Sequence, residues 1–200
     1  MRLYLKELLH CKSTWHNNAM AKKNICVLTT AHPIDDTRVY EKFCKTFITH
    51  EYNLRWVGPE HFFFNNTLKL PSGIGWNLFE YRSGIYGRIK NAVKAFLILR
   101  KLKDVDLIYC PDPDSALIAL TLRRALKCRV IFDIHEVYHK DLLNRKLLGF
   151  HVAALNSVVL LFIRYISSKS DIVIGVSKTV LSYYTDSSSK SIVKIGRAHV

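Results

Sequence analysis

The stretch that most constrains the fold runs from Asp106 to Glu136. It contains a short apolar run that ends at Cys110, a run of helical periodicity over Ser115–Lys127, and a second apolar run over Arg129–Ile134. Short apolar runs rich in Ile, Val, Tyr and Phe are typical of strands buried on both faces. A strand–helix–strand unit makes its strands parallel, with a right-handed crossover. We therefore predict a parallel sheet, with Ser115 as the helix N-cap.

Polar residues follow both of these strands. Asp112 and Asp114 come after the first strand, and Asp133, His135 and Glu136 stand at the end of the second. In open parallel sheets, ligands bind outside the carboxyl ends of the strands. A histidine among carboxylates can transfer protons or hold sugar hydroxyls, so we predict a site here. The alternative is that the two aspartates only cap the following helix, in a turn made rigid by the neighbouring prolines.

The rest of the chain continues the same alternation. Further strands are predicted at Asn24–Thr30, Asn53–Val57, Trp76–Tyr81, Asp171–Ser177 and Ile192–Ile195. Further helices are predicted at Thr37–Thr49, Arg82–Lys103, Leu147–Ile166 and Lys178–Tyr184. This order predicts a doubly wound α/β fold, Rossmann-like, with a mainly parallel sheet and helices on both faces.

The helix predicted over Arg82–Lys103 has two different faces. Its apolar positions are expected to point inward: Ile85, Ile89, Ala92, Val93, Phe96 and Leu99. Its other face is basic, with Arg88, Lys90, Lys94, Arg100, Lys101 and Lys103. Such a face is either simply solvated or a surface that meets anionic lipid head groups.

The charge balance favours acidic partners. Lys and Arg number 30 against 16 Asp and Glu, which gives a net charge of +14. Nucleic acid, anionic lipid and phosphorylated substrates all fit this charge. The tyrosines Tyr81, Tyr86, Tyr183 and Tyr184 are not interleaved with cations as a base-stacking platform requires, so nucleic acid is not a predicted partner. A non-enzymatic basic module that binds nucleic acid or anionic membrane is kept as the alternative function.

Several kinds of site are excluded by missing motifs. The chain has no P-loop, no GxGxxG after the first strand and no GxSxG, and its histidines lack convincing metal spacing. No cofactor and no metal is therefore predicted. The cysteines form no CxxC pair, and four of them lie in apolar stretches: Cys26, Cys44, Cys110 and Cys128. We expect buried thiols in a reducing compartment.

The loop after the first strand carries a second candidate site. It reads His-Pro-Ile-Asp-Asp-Thr-Arg over residues 32–38 and includes Asp35, Asp36 and Arg38. Carboxylates and a guanidinium at the carboxyl edge of the sheet can bind sugar hydroxyls or a phosphate. The simpler alternative is that Asp36 caps the next helix and forms a local pair with the arginine.

Four of these motifs together carry a family resemblance. They are the loop at 32–38, Pro-Asp-Pro-Asp at 111–114, Asp-Ile-His-Glu at 133–136, and the strand at 170–177. In this order and on these elements they resemble the N-terminal, acceptor-side domain of a family-four glycosyltransferase of the GT-B fold. One departure is Pro111, which stands where relatives have a histidine near the donor sugar. His135 is then the histidine expected to act.

The resemblance implies the acceptor-binding domain of a retaining, hexosyltransferase-like enzyme. Such an enzyme moves a sugar from a nucleotide-sugar to a lipid-linked or polysaccharide acceptor. The resemblance implies His135 as catalytic residue and these substrate-binding residues: Asp35, Asp36, Arg38, Asp112, Asp114 and Glu136. Expected partners are the nucleotide-sugar, the lipid-linked or glycan acceptor and an anionic membrane surface. The expected location is cytoplasmic, with a peripheral position on the inner membrane face as a further hypothesis.

The predicted domain organisation has three parts. Residues 1–23 read as a leader or as upstream read-through, because Met20 opens a second start directly before the first strand. Residues 24–195 form the Rossmann-like domain, and residues 196–200 read as a non-native tail. The resemblance also implies a donor-binding domain that this sequence does not include. We therefore expect the chain to be a fragment that is inactive by itself.

Overall fold

Seven strands form one sheet in the computed structural model, which describes residues 23–32, 36–49, 52–60, 72–138, 150–186 and 191–193. The strands are β1 Asn24–Leu28, β2 Asn53–Glu60, β3 Ile74–Glu80, β4 Leu107–Cys110, β5 Arg129–Ile134, β6 Ile172–Gly175 and β7 Ser191–Val193. A π-helical segment, Thr37–Cys44, continues into α1 Lys45–Thr49. The other helices are α2 Gly84–Leu99, α3 Pro113–Leu126, α4 Phe150–Lys169 and α5 Lys178–Tyr184. The predicted alternation of strands and helices is confirmed.

The sheet is entirely parallel, and its order is β3-β2-β1-β4-β5-β6-β7. The chain moves outward from β1 to β3, then crosses back to place β4 on the other side of β1. The loops after β1 and β4 therefore leave the sheet in opposite directions. In doubly wound folds, the crevice between two such loops is where ligands bind.

The two faces of the sheet carry separate cores. Alternate residues of a strand point to opposite faces, so Cys26 joins one core and Ile25 the other. Helices α2 to α5 cover the first face. The π-helical segment and α1 cover the second with Val39, Phe43 and Phe47, which are all buried as their four-residue spacing predicted. Helices thus lie on both faces, as expected.

The predicted face of α2 is wrong for three of its six residues. Ile85, Ile89 and Val93 point to solvent, with exposed fractions of 77%, 58% and 52%. Leu99 is buried, and Ala92 and Phe96 are partly buried, as predicted. The other residues that α2 turns inward are small or polar: Gly87, Asn91 and Ala95.

Close packing and one polar side chain explain this orientation. A Cβ atom on Gly87 would lie 2.4 Å from the carbonyl oxygen of Arg82, so only glycine fits there. Asn91 donates from Nδ2 to the carbonyl oxygens of Thr30 (3.3 Å) and Arg82 (3.1 Å) and accepts from the Arg82 amide. These backbone groups, of which the Thr30 carbonyl is buried, would lose partners if α2 turned an isoleucine inward. The hydrogen bonds that Asn91 makes to these backbone groups therefore decide which side of α2 faces the sheet, against the pattern of its large apolar residues.

Helix α3 begins two residues before the predicted start. Asp112 is its N-cap and Pro113 its first residue, so the prediction of Ser115 as N-cap is wrong. A proline is favoured at this first position because its fixed φ already suits a helix. Ser115 instead bonds back to the cap, accepting from the Asp112 amide (3.3 Å) and donating to its carbonyl oxygen (2.8 Å).

The predicted burial of the cysteines is confirmed. Cys26, Cys44, Cys110 and Cys128 are buried free thiols. Burial raises the pKa of Cys26 and of Cys44 to about 12, and the pKa of Cys128 to about 11. Cys26, Cys110 and Cys128 belong to the same core, which places three thiols on one face of the sheet.

Two predictions about the chain as a whole have different outcomes. Residues 1–22 and 194–200 lie outside the described residues, so the leader, the tail and the domain boundaries stay predictions. Within the described ranges, none of the helices combines the length and the apolar character that crossing a bilayer requires.

Candidate functional site

The polar residues of the candidate site gather where β1, β4 and β5 end. These strands are neighbours, with β1 paired to β4 and β4 paired to β5. Their carboxyl ends bring together the loop that follows Leu28, the turn at Asp112 and the end of β5 at Asp133. The strand order reverses between β1 and β4, so the site lies at the crevice described above.

His32 lies between two carboxylates. Its Nδ1 is 2.9 Å from an Asp36 oxygen, and its Nε2 is 3.3 Å from an Asp112 oxygen. An imidazole can donate from both nitrogens only when it is protonated, so this arrangement stabilises a positive charge between two negative ones. The His32 side chain is 22% exposed and that of Asp36 is 19% exposed, which leaves both accessible from the crevice.

Asp112 fastens the end of β4 to the end of β1. Its Oδ2 accepts hydrogen bonds from the Thr29 hydroxyl (2.6 Å) and the Thr30 amide (3.0 Å). Burial raises the pKa of the Asp112 carboxyl, against the opposing influence of His32 and the Thr29 hydroxyl. The carboxyl is 5% exposed, so its main contacts are with the protein itself.

The pKa of Asp114 is shifted in the opposite direction to that of Asp112. Arg88 donates to its two oxygens from Nε (2.9 Å) and Nη2 (3.1 Å), and the Thr30 hydroxyl donates to it at 2.6 Å. Burial alone would raise the pKa of Asp114, but the hydrogen bonds and charge of Arg88 outweigh it and hold the pKa below its ordinary value. Two neighbouring carboxyl groups thus have pKa values pushed apart, which suits different roles for them.

A second histidine lies behind the first. The His135 side chain is 2% exposed, and its Nδ1 is 3.3 Å from an oxygen of the fully buried Asp133. The Tyr109 hydroxyl donates to the other oxygen of Asp133. The rings of His135 and His32 meet nearly at right angles, with centroids 5.8 Å apart. The two histidine rings therefore pack against each other.

The structure brings four of the predicted site residues together: Asp36, Asp112, Asp114 and His135. Glu136 follows His135 and is exposed at the rim. Asp35 lies outside the described residues, as does the side chain of Arg38. The cap predicted in the simpler alternative for Asp36 is confirmed, because its Oδ1 accepts from the Val39 amide at 2.9 Å, whereas the predicted pair with Arg38 involves a side chain outside the described residues.

His32 was predicted only as part of the loop at 32–38 and was given no role of its own. Other residues of the site were not predicted from the sequence: Thr29, Thr30, Arg88 and Tyr109. The two threonines could have been predicted from the sequence, because they directly follow an apolar strand at the edge of the sheet where ligands bind. The sequence gives no indication that Arg88 belongs to the site, since its partner Asp114 lies 26 positions away.

An open cleft adjoins the site on the side of α2. It has a volume of about 340 Å³, and its lining includes Thr30, Ala31, Tyr81, Arg82, Arg88 and Asn91. Thr30 and Arg88 both contact Asp114, so the cleft reaches the site directly. In the part of the chain that is described, no cluster of three or more histidine, cysteine or carboxylate side chains could hold a metal ion.

Removing the Arg88 guanidinium should weaken the fold in a pH-dependent way. For Arg88→Ala we expect the free energy of unfolding at pH 7 to fall by about 1–2 kcal/mol, because the Asp114 carboxylate loses a two-point, charge-assisted contact that is half exposed to solvent. The folded pKa of Asp114 is depressed, so this stabilisation is present above the ordinary value of 3.8 and is lost as the pH falls below it.

Urea unfolding at several pH values would measure this effect. Lys90→Ala, an exposed residue of the same helix, serves as the control and should change stability by less than about 0.5 kcal/mol. An Arg88→Ala deficit that stays constant down to pH 2 would contradict the assigned role of Asp114.

Comparisons with known proteins support the fold. No protein-family model and no curated protein matches this sequence. Two solved structures of sucrose-phosphate synthase from Thermosynechococcus elongatus are similar. One is 12% identical over 84% of each chain, with a TM-score of 0.54. The other is 11% identical over 86% of this chain and 47% of that one, with a TM-score of 0.58.

These similarities show a shared Rossmann-like α/β fold of the kind found in GT-B glycosyltransferases. The chain spans about half the length of the second structure. A third structure, a UDP-L-rhamnose complex from Arabidopsis thaliana, has a TM-score of 0.44, which is too low to support an argument.

Proposed function

We propose that this chain is the acceptor-binding domain of a retaining glycosyltransferase. The enzyme would move a sugar from a nucleotide-sugar to a lipid-linked or polysaccharide acceptor in the cytoplasm, with peripheral contact to the inner membrane face. The observation that carries the proposal is the cluster of His32, Asp36 and Asp112 at the point where the strand order reverses. The fold shared with sucrose-phosphate synthase supports it.

The chemistry of the cluster suits an acceptor hydroxyl. The acceptor oxygen forms the new bond to the anomeric carbon, the bond from that carbon to the donor phosphate breaks, and the hydroxyl must lose its proton. A carboxylate within hydrogen-bond reach can accept that proton. The Asp36 and Asp114 carboxylates are more exposed than that of Asp112, and Arg88 keeps Asp114 ionised. His32 would bind a neighbouring hydroxyl of the acceptor.

The remaining residues take supporting roles in this proposal. Asp112 joins the ends of β1 and β4, and His135 with Asp133 orients His32 from behind. Asp35, Arg38 and Glu136 stay predictions as further contacts to the sugar. We assign the diphosphate of the donor to a second domain, following the resemblance in the motifs. No metal or cofactor enters the proposal.

The rival function is a basic module that binds nucleic acid. The net charge of +14 favours it. The site opposes it, because a phosphate backbone would meet the carboxylates of Asp36, Asp112 and Asp114 at the crevice. Arg88, the arginine of the described site, is already paired with Asp114, whereas Lys90 is exposed on α2 and Lys101 is exposed just after the end of this helix.

A titration followed by NMR would test the proposed function. With 13C-labelled histidine, the His32 ring signals should shift on addition of oligosaccharide acceptors and should shift less with nucleotide-sugars alone. His32→Ala identifies the signals, and Asp36→Asn should weaken the sugar response. The proposal would be abandoned if no sugar shifted the His32 signals, and stronger binding of duplex DNA in the same assay would favour the rival.

A further inference from the structure

Helix α2 presents a stripe of large apolar side chains to solvent. Ile85, Ile89, Val93 and Leu97, here called the α2 stripe, follow one another at four-residue intervals with exposed fractions of 77%, 58%, 52% and 43%. At a rise of 1.5 Å per residue they extend over about 18 Å of the helix. Tyr86 stands beside them and is 80% exposed.

The stripe lies directly opposite the buried side of the helix. The inward residues Gly87, Asn91, Ala95 and Leu99 are each two positions after a member of the stripe. Two positions correspond to about 200° around an α-helix, so the stripe points straight away from the sheet. Charged and polar residues normally occupy that side of a surface helix. A continuous apolar row there marks an interaction surface.

All the charged side chains within α2 are basic. Gly84–Leu99 contains Arg88, Lys90 and Lys94 and no acidic residue, and Arg100 and Lys101 follow directly. Arg88 is engaged by Asp114 and Lys94 contacts Glu80 at 3.7 Å. Among the described residues, Lys90, Arg100 and Lys101 are exposed and form no ion pair, so these three positive charges are available to a partner that binds at α2.

We propose that α2 docks on an anionic lipid surface, with the α2 stripe inserted among the head groups and the flanking cations against the lipid phosphates. An apolar row bordered by lysine and arginine is the pattern of an interfacial helix. Tyr81 and Tyr86 stand at the start of the helix, and tyrosine is enriched where protein meets the membrane–water interface. The inference specifies the membrane contact mentioned in the proposed function but does not depend on sugar transfer.

Helix α4 provides an internal comparison. It also exposes apolar residues: Leu155, Val158, Leu161, Phe162 and Tyr165. Its only cations are Arg164, which donates to the Tyr183 carbonyl oxygen, and Lys169 at its end. Because α4 lacks the basic border of α2, its apolar face has no charge complementarity to anionic lipid.

Co-sedimentation of the whole chain with vesicles tests the proposal. Phosphatidylcholine vesicles with and without phosphatidylglycerol would be compared across a salt series. The test variant combines Ile89→Ser and Val93→Ser, and the matched control combines Val158→Ser and Leu161→Ser, with exposed fractions of 61% and 64% at the wild-type residues. Circular dichroism and thermal melting establish that both variants are folded.

We expect the wild type to bind anionic vesicles, with binding that weakens as salt is added. The test variant should bind at least about tenfold more weakly, and the control within about twofold of the wild type. The proposal is wrong if the test variant binds like the wild type, if the control loses binding equally, or if neutral vesicles bind equally well.

Light scattering tests whether the α2 stripe binds a second copy of this chain instead of lipid. A dimer that forms with concentration and is abolished by the test variant, without vesicle binding, would make the stripe a protein interface and overturn the proposal. None of these outcomes bears on the sugar titration, which contains no lipid, so the two proposals fail independently.

Discussion

Replacing Asp112 with alanine should lower the free energy of unfolding by about 2–4 kcal/mol at pH 7. The Asp112 carboxyl accepts from the Thr29 hydroxyl and the Thr30 amide in a buried setting, and alanine would leave both donors without it. It would also separate the loop after β1 from the start of α3. Asp112→Asn keeps one acceptor oxygen and should cost less. Urea unfolding followed by tryptophan fluorescence would measure both variants.

A carboxylate at the other end of the sheet supplies the control. In the part of the chain that the structure describes, the Asp106 side chain accepts a single hydrogen bond, from the Asn24 amide at 2.8 Å, and Asp106→Ala should cost about 1 kcal/mol. Equal losses of unfolding free energy for Asp106→Ala and Asp112→Ala would show that a carboxylate between the ends of β1 and β4 stabilises the fold no more than one at the other end of the sheet.

The pH dependence of Asp112→Asn has a definite sign. The folded pKa of Asp112 is raised by burial, so the protonated carboxyl favours the folded state. Its contribution is therefore complete below the ordinary value of 3.8 and is lost as the pH rises through the higher folded value. Asparagine does not ionise, so Asp112→Asn should become more stable relative to the wild type as the pH rises from 3.8 through the folded pKa of Asp112. A relative gain by the wild type would contradict this account.

Substituting the two histidines should have different effects: alanine at His32 should mainly reduce activity, and alanine at His135 should mainly reduce stability. We expect His32→Ala, assayed for sugar transfer in the complete protein, to reduce kcat by about a hundredfold or more with an unfolding free energy changed by about 1 kcal/mol. His32 is accessible, and its removal leaves no large void. His135→Ala should instead cost about 2–4 kcal/mol, because it opens a cavity beside the fully buried Asp133.

Thermal melting and single-turnover kinetics on the same preparations would distinguish these outcomes. A His135→Ala variant that melts like the wild type but transfers no sugar would return the catalytic role to His135. A His32→Ala variant with full activity would remove His32 from the proposed mechanism. His135→Asn, which keeps a polar group beside Asp133, is the conservative variant that should recover part of the lost stability.

Much of the fold was predictable because its signals are local. The strands β1, β4, β5 and β6 are apolar runs, and a strand buried on both faces has no other composition available. The position of Asp112 and Asp114 at the carboxyl edge followed from the parallel topology alone. These inferences need only the order of elements along the chain.

The details that failed depend on contacts between distant residues. The orientation of α2 is decided by Asn91, whose partners on the Thr30 and Arg82 backbones are invisible in the sequence pattern. The different surroundings of the two histidines could not be predicted for a similar reason. His135 directly follows β5 and is buried beside Asp133, whereas His32 lies in the loop after β1 and reaches two carboxylates. Periodicity cannot distinguish these environments.

The buried cysteines have a practical consequence for following motions of this protein. A thiol with a pKa near 12, such as that of Cys26, is ionised in only about one molecule in 100,000 at pH 7. Alkylation of the folded state must therefore wait until the surrounding strands separate. Cys26 reports the centre of the sheet and Cys44 the layer formed by the π-helical segment and α1. The order in which the two thiols react would reveal which layer detaches first, without any introduced label.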